Sequence, residues 1–78
     1  MEVRELIAQA RANRDLPPPV ARRMIRETAG VSQSALGSAV GVAQQTVAQW
    51  EAGTVKPKGD HLRAYVDLLR ALQAAMAA

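Results

Sequence analysis

The sequence has no cysteine, no phenylalanine, a single tryptophan, tyrosine and histidine, and no long apolar run. Without cysteine there is no disulfide framework, no thiol nucleophile and no cysteine metal site. One histidine, His61, cannot build a zinc cluster by itself, so neither a metal nor a cofactor is expected. No apolar run approaches the roughly 18 residues that span a bilayer, and the first residues lack the basic, apolar and small-residue pattern of a secretory signal. A cytoplasmic protein without a membrane partner is expected. An enzyme is not expected, because no phosphate-binding glycine loop, metal-ligand cluster or histidine–base pair can be found. His61 beside Asp60 reads as a surface residue at a helix start. With so few aromatic residues, the core must be built from Ala, Val, Leu, Ile and Met.

What is present points one way. A chain of 78 residues holds one small domain. Its apolar fraction of 49% suits a folded protein, and its wealth of Ala, Arg, Gln and Leu favours helix. An all-α fold is expected. Ten Lys and Arg against seven Asp and Glu leave a net charge of +3. That mild excess suits a polyanionic partner but also simple solubility, so the positions of the charges must decide.

Residues 1–15 carry apolar side chains at Met1, Val3, Leu6, Ile7 and Ala10, a narrow amphipathic stripe at helical spacing. Leu16-Pro17-Pro18-Pro19 ends that helix, and the last proline suits the first turn of the next. The second helix, about 19–29, is expected to turn Val20, Met24 and Ile25 inward and to stop at Gly30. Ser32 caps a third, about 33–40, with Ala35, Leu36, Ala39 and Val40 as its apolar face. Gly41-Val42-Ala43 leads into a fourth, about 44–52, which Gly53 ends. After the loop 54–59, Asp60 is expected to cap a final helix with Leu62, Tyr65, Val66, Leu69, Leu72 and Met76 on one face.

Two short helices joined by a three-residue turn containing glycine form a helix-turn-helix. Leu36, Val40, Val42, Val47 and Trp50 supply its core. Among the polar positions left over, Gln44, Gln45, Thr46 and Gln49 lie at the start and along one face of the second motif helix. An α-helix fits the major groove of DNA, and glutamine can bond adenine N6 and N7 together. Neutral glutamines are also ordinary soluble helix formers; the turn before them and the basic residues around them favour base reading. Arg22, Arg23 and Arg26 precede the motif, and Lys56 and Lys58 follow it, a distribution suited to phosphates. Gln33, in the first turn of its own helix, sits where N–H groups favour an anion. The expected phosphate contacts are Ser32, Gln33, Arg23, Thr54, Lys56 and Lys58.

From about Ile25 to Leu72 the chain resembles the phage-repressor/Cro family of helix-turn-helix proteins, also called the xenobiotic-response-element type. The resemblance is carried by Arg26, Ala29-Gly30-Val31-Ser32-Gln33, Leu36, Val40-Gly41-Val42, Val47, Trp50-Glu51-Ala52-Gly53 and Lys56-Pro57. Gln44-Gln45-Thr46-Val47-Ala48-Gln49 is similar to the recognition helix of lambdoid phage repressors. The resemblance implies a lambda-repressor-like domain of about five helices; the helix-turn-helix domain is expected over 17–78, with 1–16 as a short N-terminal helical extension. It implies that Gln44 reaches an adenine, that Gln33 contacts phosphate and braces Gln44, and that Arg26 and Glu51 form a buried structural ion pair. It further implies a homodimer on a palindromic operator and a bacterial or phage-encoded repressor of transcription. Three positions depart from the family pattern: Ala43 for a capping Ser or Thr, Gly37 for Ala, and Ala52 for Asn. The family also includes antitoxins that bind a toxin and repress their own operon, so an antitoxin-like module contacting a partner protein through residues 1–15 is the alternative.

Overall fold

The computed structural model describes residues 2–77, in five α-helices: α1 (Val3–Asp15), α2 (Pro19–Thr28), α3 (Gln33–Val40), α4 (Gln44–Ala52) and α5 (Gly59–Met76). Local chemistry sets their ends. Pro19 opens α2 from the extended Pro18, where a missing N–H costs nothing. Ser32 Oγ accepts the Ala35 N–H at 3.0 Å at the head of α3. Gly30, Gly41 and Gly53 follow α2, α3 and α4 with φ of 71°, 95° and 76°, values that disfavour any side chain. Asp60 does not cap α5: the helix begins at Gly59 with Lys58 as an N-cap that makes no side-chain bond, so Asp60 falls within the first turn, where it pairs with Arg63.

α5 is the spine, contacting α1, α2 and α3, while α4 packs between α2 and α3. The main core joins Leu36, Val40, Val47, Trp50, Tyr65 and Leu69. Trp50 and Tyr65 stack obliquely, with ring centroids 4.7 Å apart, within the favourable range for aromatic pairs. A second, smaller cluster of Ala12, Leu62 and Val66 docks α1 on α5. No described helix is long and apolar enough to cross a membrane.

Four expected inward faces differ, in whole or in part, from those observed. α2 exposes Val20 (73%) and Met24 (62%) and buries Arg22, with Ile25 and Arg26 half-buried. Arg22 and Arg26 lie on the opposite side of the helix from Val20 and Met24, and polar partners inside the fold claim them. Arg22 Nε donates to the Pro17 carbonyl at 2.6 Å and Nη1 to the Trp50 carbonyl at 2.9 Å. Arg22 is therefore a staple between the proline linker and the end of α4, not a residue free for phosphate. α1 likewise turns Ala12 inward and leaves Val3, Leu6, Ile7 and Ala10 exposed; Met1 lies outside the described residues. The small Ala12 side chain admits close approach to Leu62 and Val66, and Asp15 adds an ion pair to Arg70 at 2.7 Å. In α3 the inner face is Leu36, Gly37 and Val40, with Ala35 and Ala39 exposed, and at the far end of α5 Met76 is exposed too.

Candidate nucleic-acid interface

The turn between α3 and α4 depends on the absence of a side chain at Gly37. A Cβ there would stand 2.7 Å from the Val42 carbonyl oxygen and 3.3 Å from both the Ala43 carbonyl oxygen and Val47 Cγ2. The Gly37 carbonyl in turn accepts the N–H groups of Gly41 at 2.7 Å and Val42 at 2.8 Å. The close turn seats α4 with Val47, Trp50 and Glu51 buried. One face of α4 therefore faces out: Gln44, Gln45 and Gln49 are exposed and Thr46 is half-buried. Ala43, at the N-cap of α4, makes no side-chain cap, which forgoes about 0.5–2 kcal/mol relative to a capping residue.

Beneath this face runs a continuous set of polar contacts. Arg26 Nε donates to Glu51 Oε2 at 2.5 Å, its Nη2 to Glu51 Oε1 at 2.9 Å, and its Nη1 to the Val31 carbonyl at 3.0 Å. Gln33 Nε2 donates to the same Glu51 Oε1 at 3.1 Å. Gln44 Nε2 donates to Gln33 Oε1 at 2.6 Å. The side chains of Arg26 and Glu51 are only 11% and 3% exposed. Burial alone would raise the Glu51 carboxyl, but hydrogen bonds from Arg26 and Gln33 and the Arg26 charge outweigh it and hold the group below the usual carboxylate range. The hydrogen bond to Glu51 also raises Arg26 against its own desolvation. The pair is firmly ionised. Tyr65 lies near enough to feel these charges; burial and the Glu51 charge push its hydroxyl up to about 12, against the opposing pull of Arg22 and Arg26.

The remaining site residues divide by their local partners. Arg23, Arg26, Ser32, Gln33, Ser34 and Gln44 line one open depression beside the start of α4. Within it, Arg23 is exposed but shares its charge with Glu27 through a 2.9 Å ion pair, and the Ser32 oxygen is engaged in capping α3. Thr54 donates its hydroxyl to the Gln49 carbonyl at 3.3 Å, closing the end of α4. Lys56 and Lys58 are exposed on either side of the buried Pro57, and among the described residues neither makes a salt bridge. No group of three or more His, Asp and Glu side chains among the described residues is placed to hold a metal ion.

Two features of the site were not foreseen in the sequence. One is the structural role of Arg22, for which the available signal was its spacing of four from Arg26, enough to put both on one helix face. The other is the Gln33–Glu51 hydrogen bond, which joins the ion pair to the surface glutamines and had no sequence signal.

No curated protein and no solved structure matches the chain. Residues 23–78 match the family described as a helix-turn-helix domain, a span that takes in most of α2, both motif helices and α5. With that match over most of its length, and with α3, the glycine-bearing turn and α4 arranged as described, the chain belongs to the helix-turn-helix domain family.

Proposed function

We propose that the protein is a sequence-specific regulator of transcription, of the phage-repressor/Cro type, that represses by inserting α4 into the major groove of double-stranded DNA. Membership of a helix-turn-helix family points to DNA, and the observation that carries the specific function is the outward face of α4. It offers Gln44, Gln45 and Gln49, uncharged groups able to bond base edges. Acidic or large apolar groups on that face would oppose entry into the groove. Thr46 joins these base readers at the edge of the face. Lys56, Lys58, Arg23 and Gln33, with Ser32 and Thr54 at the helix ends, bind phosphates and fix the register. The operator is a palindrome read by a homodimer, and the protein works where it meets DNA, in the bacterial cytoplasm.

Selection of binding sites from a random duplex pool tests this. The expected result is a palindrome with half-sites about one helical turn apart, roughly 34–36 Å. In the selected site, Gln44→Ala is expected to cost on the order of 1–3 kcal/mol and to relax preference at one position. No enrichment at low salt, or unchanged selectivity in Gln44→Ala, would refute base reading by α4.

The exposed stripe of Val3, Leu6 and Ile7 on α1 favours a second reading, in which an antitoxin-like protein also docks a partner chain there. In that case Leu6→Glu with Ile7→Glu would abolish partner capture while leaving operator affinity intact. Loss of operator binding and of self-association together would assign the stripe to the homodimer.

A further inference from the structure

Taking α4 as the groove-reading helix, as proposed above, we infer that Glu51 is a positioning residue that makes Gln44 read adenine in preference to guanine. Glu51 never reaches the DNA. Its influence is carried by the polarity of two hydrogen bonds.

An ionised carboxylate only accepts hydrogen bonds. Glu51 is held in that form by two bonds from Arg26. The Gln33 amide that faces Glu51 must therefore present its Nε2, and it does, at 3.1 Å. That leaves Gln33 Oε1 pointing the other way, as an acceptor. The Gln44 amide that meets it must then donate through its own Nε2, at 2.6 Å. Each amide orientation is forced by the one beneath it, and the first is forced by the buried acid.

The free valences of Gln44 follow. One N–H is committed to Gln33, so Gln44 offers the groove its Oε1 as an acceptor and a single N–H as a donor. Adenine presents one donor, N6–H, and one acceptor, N7, and matches that pair. Guanine presents two acceptors, O6 and N7, and would need two donors. With the polarity reversed, Gln44 would accept from Gln33 and keep both N–H groups for the groove, which suits guanine. Glu51 excludes that arrangement. Gln33 is left with one N–H outward, the group a phosphate oxygen would take.

The test uses the full chain. The position read by Gln44 is first located as the one where Gln44→Ala flattens base preference in a selected site. Duplexes carrying A·T or G·C at that position alone are then titrated with the parent, with Gln33→Ala, and with the double variant Arg26→Met/Glu51→Leu. The double variant removes the carboxylate without leaving a lone buried charge, a replacement that folds retain well. Gln33→Ala breaks the same chain of bonds with the ion pair intact. The parent is expected to prefer adenine by about 5- to 150-fold, the discrimination typical of a good bidentate contact. Both variants are expected to bring that ratio close to one while every other position keeps its preference. Loss of affinity spread evenly over all positions, with the adenine preference kept, would overturn the role of Glu51, since a merely structural pair would behave so. Adenine preference retained in Gln33→Ala alone would also overturn it. A parent that selects no site at all would instead overturn base reading by α4, and this inference with it.

Discussion

Replacing Glu51 with leucine leaves the Arg26 guanidinium inside the fold with the Val31 carbonyl as its one remaining protein partner among the described residues. Replacing Arg26 with methionine does the reverse, stranding a carboxylate that is 3% exposed with Gln33 as its one remaining side-chain partner among the described residues. Removing one member of a buried pair typically costs about 3–5 kcal/mol, because the other charge stays buried and uncompensated. A domain of this size has little to lose: total stabilities run from about 5 to 15 kcal/mol, and small domains sit near the lower end. Each single variant is therefore expected to fall by about 12–40 °C in melting temperature, at about 4–8 °C per kcal/mol. The double variant Arg26→Met/Glu51→Leu is expected to lie far closer to the parent than the sum of the two losses, because it leaves no lone charge. Trp50, the single tryptophan and 3% exposed, reports unfolding by its fluorescence, so urea titrations of the four proteins complete the cycle. Single-variant costs below about 1 kcal/mol, or a double variant equal to the sum of the singles, would refute the view that Arg26 and Glu51 depend on each other. The same pair contributes to the loss of stability in acid. The folded-state pKa of Glu51 lies below its ordinary value, so its contribution is fully present above the unfolded value and is lost as pH falls through the folded one. Stability should thus be level in this respect near neutrality and decline only below about pH 4.3, and Glu51→Leu should remove that part of the decline.

Three other outcomes follow from particular contacts. Gly37→Ala should gain about 0.8–1.0 kcal/mol in helix propensity yet destabilise the protein on balance, because its Cβ would meet the Val42 carbonyl oxygen at 2.7 Å and overpacking typically costs about 1–3 kcal/mol; a rise in urea midpoint would show that the turn yields freely. Tyr65→Phe removes a buried hydroxyl with no hydrogen-bond partner among the described residues, so the melting temperature should hold or rise, and a loss above about 1 kcal/mol would reveal a bond formed by that hydroxyl. Lys56→Ala and Lys58→Ala should weaken all duplexes alike and each lower the slope of log affinity against log salt by about 0.9; a sequence-selective change would assign the lysine to a base.

Much of the fold was legible because it rests on chemistry within a few residues. Pro19 at a helix start, Ser32 as a cap and Gly41 at a positive-φ turn each act through their own backbone, so five helices and the helix-turn-helix could be placed from the sequence. The one cap that differs, Asp60, does so for a local reason too: the helix opens one residue earlier, at Gly59, which leaves Asp60 inside the first turn beside Arg63. The outward glutamines of α4 were legible for the same reason as the helices, since Val47 and Trp50 define the buried side and periodicity assigns the rest.

What periodicity could not assign was the inward side of α1 and α2. Both helices carry an apolar stripe, and both turn it largely outward, because the deciding partners are distant in sequence: Trp50 for Arg22, Glu51 for Arg26, Leu62 and Val66 for Ala12. The polar set at the α4 surface divides in the same way. That glutamines open α4 follows from the order of residues, and resemblance pairs Arg26 with Glu51 and Gln33 with Gln44. That these two pairs form one connected system emerges from the folded arrangement of α3 and α4. The Gln33–Glu51 bond spans 18 residues, and it exists because the close turn at Gly37 brings α3 and α4 together over a buried carboxylate that can do nothing but accept.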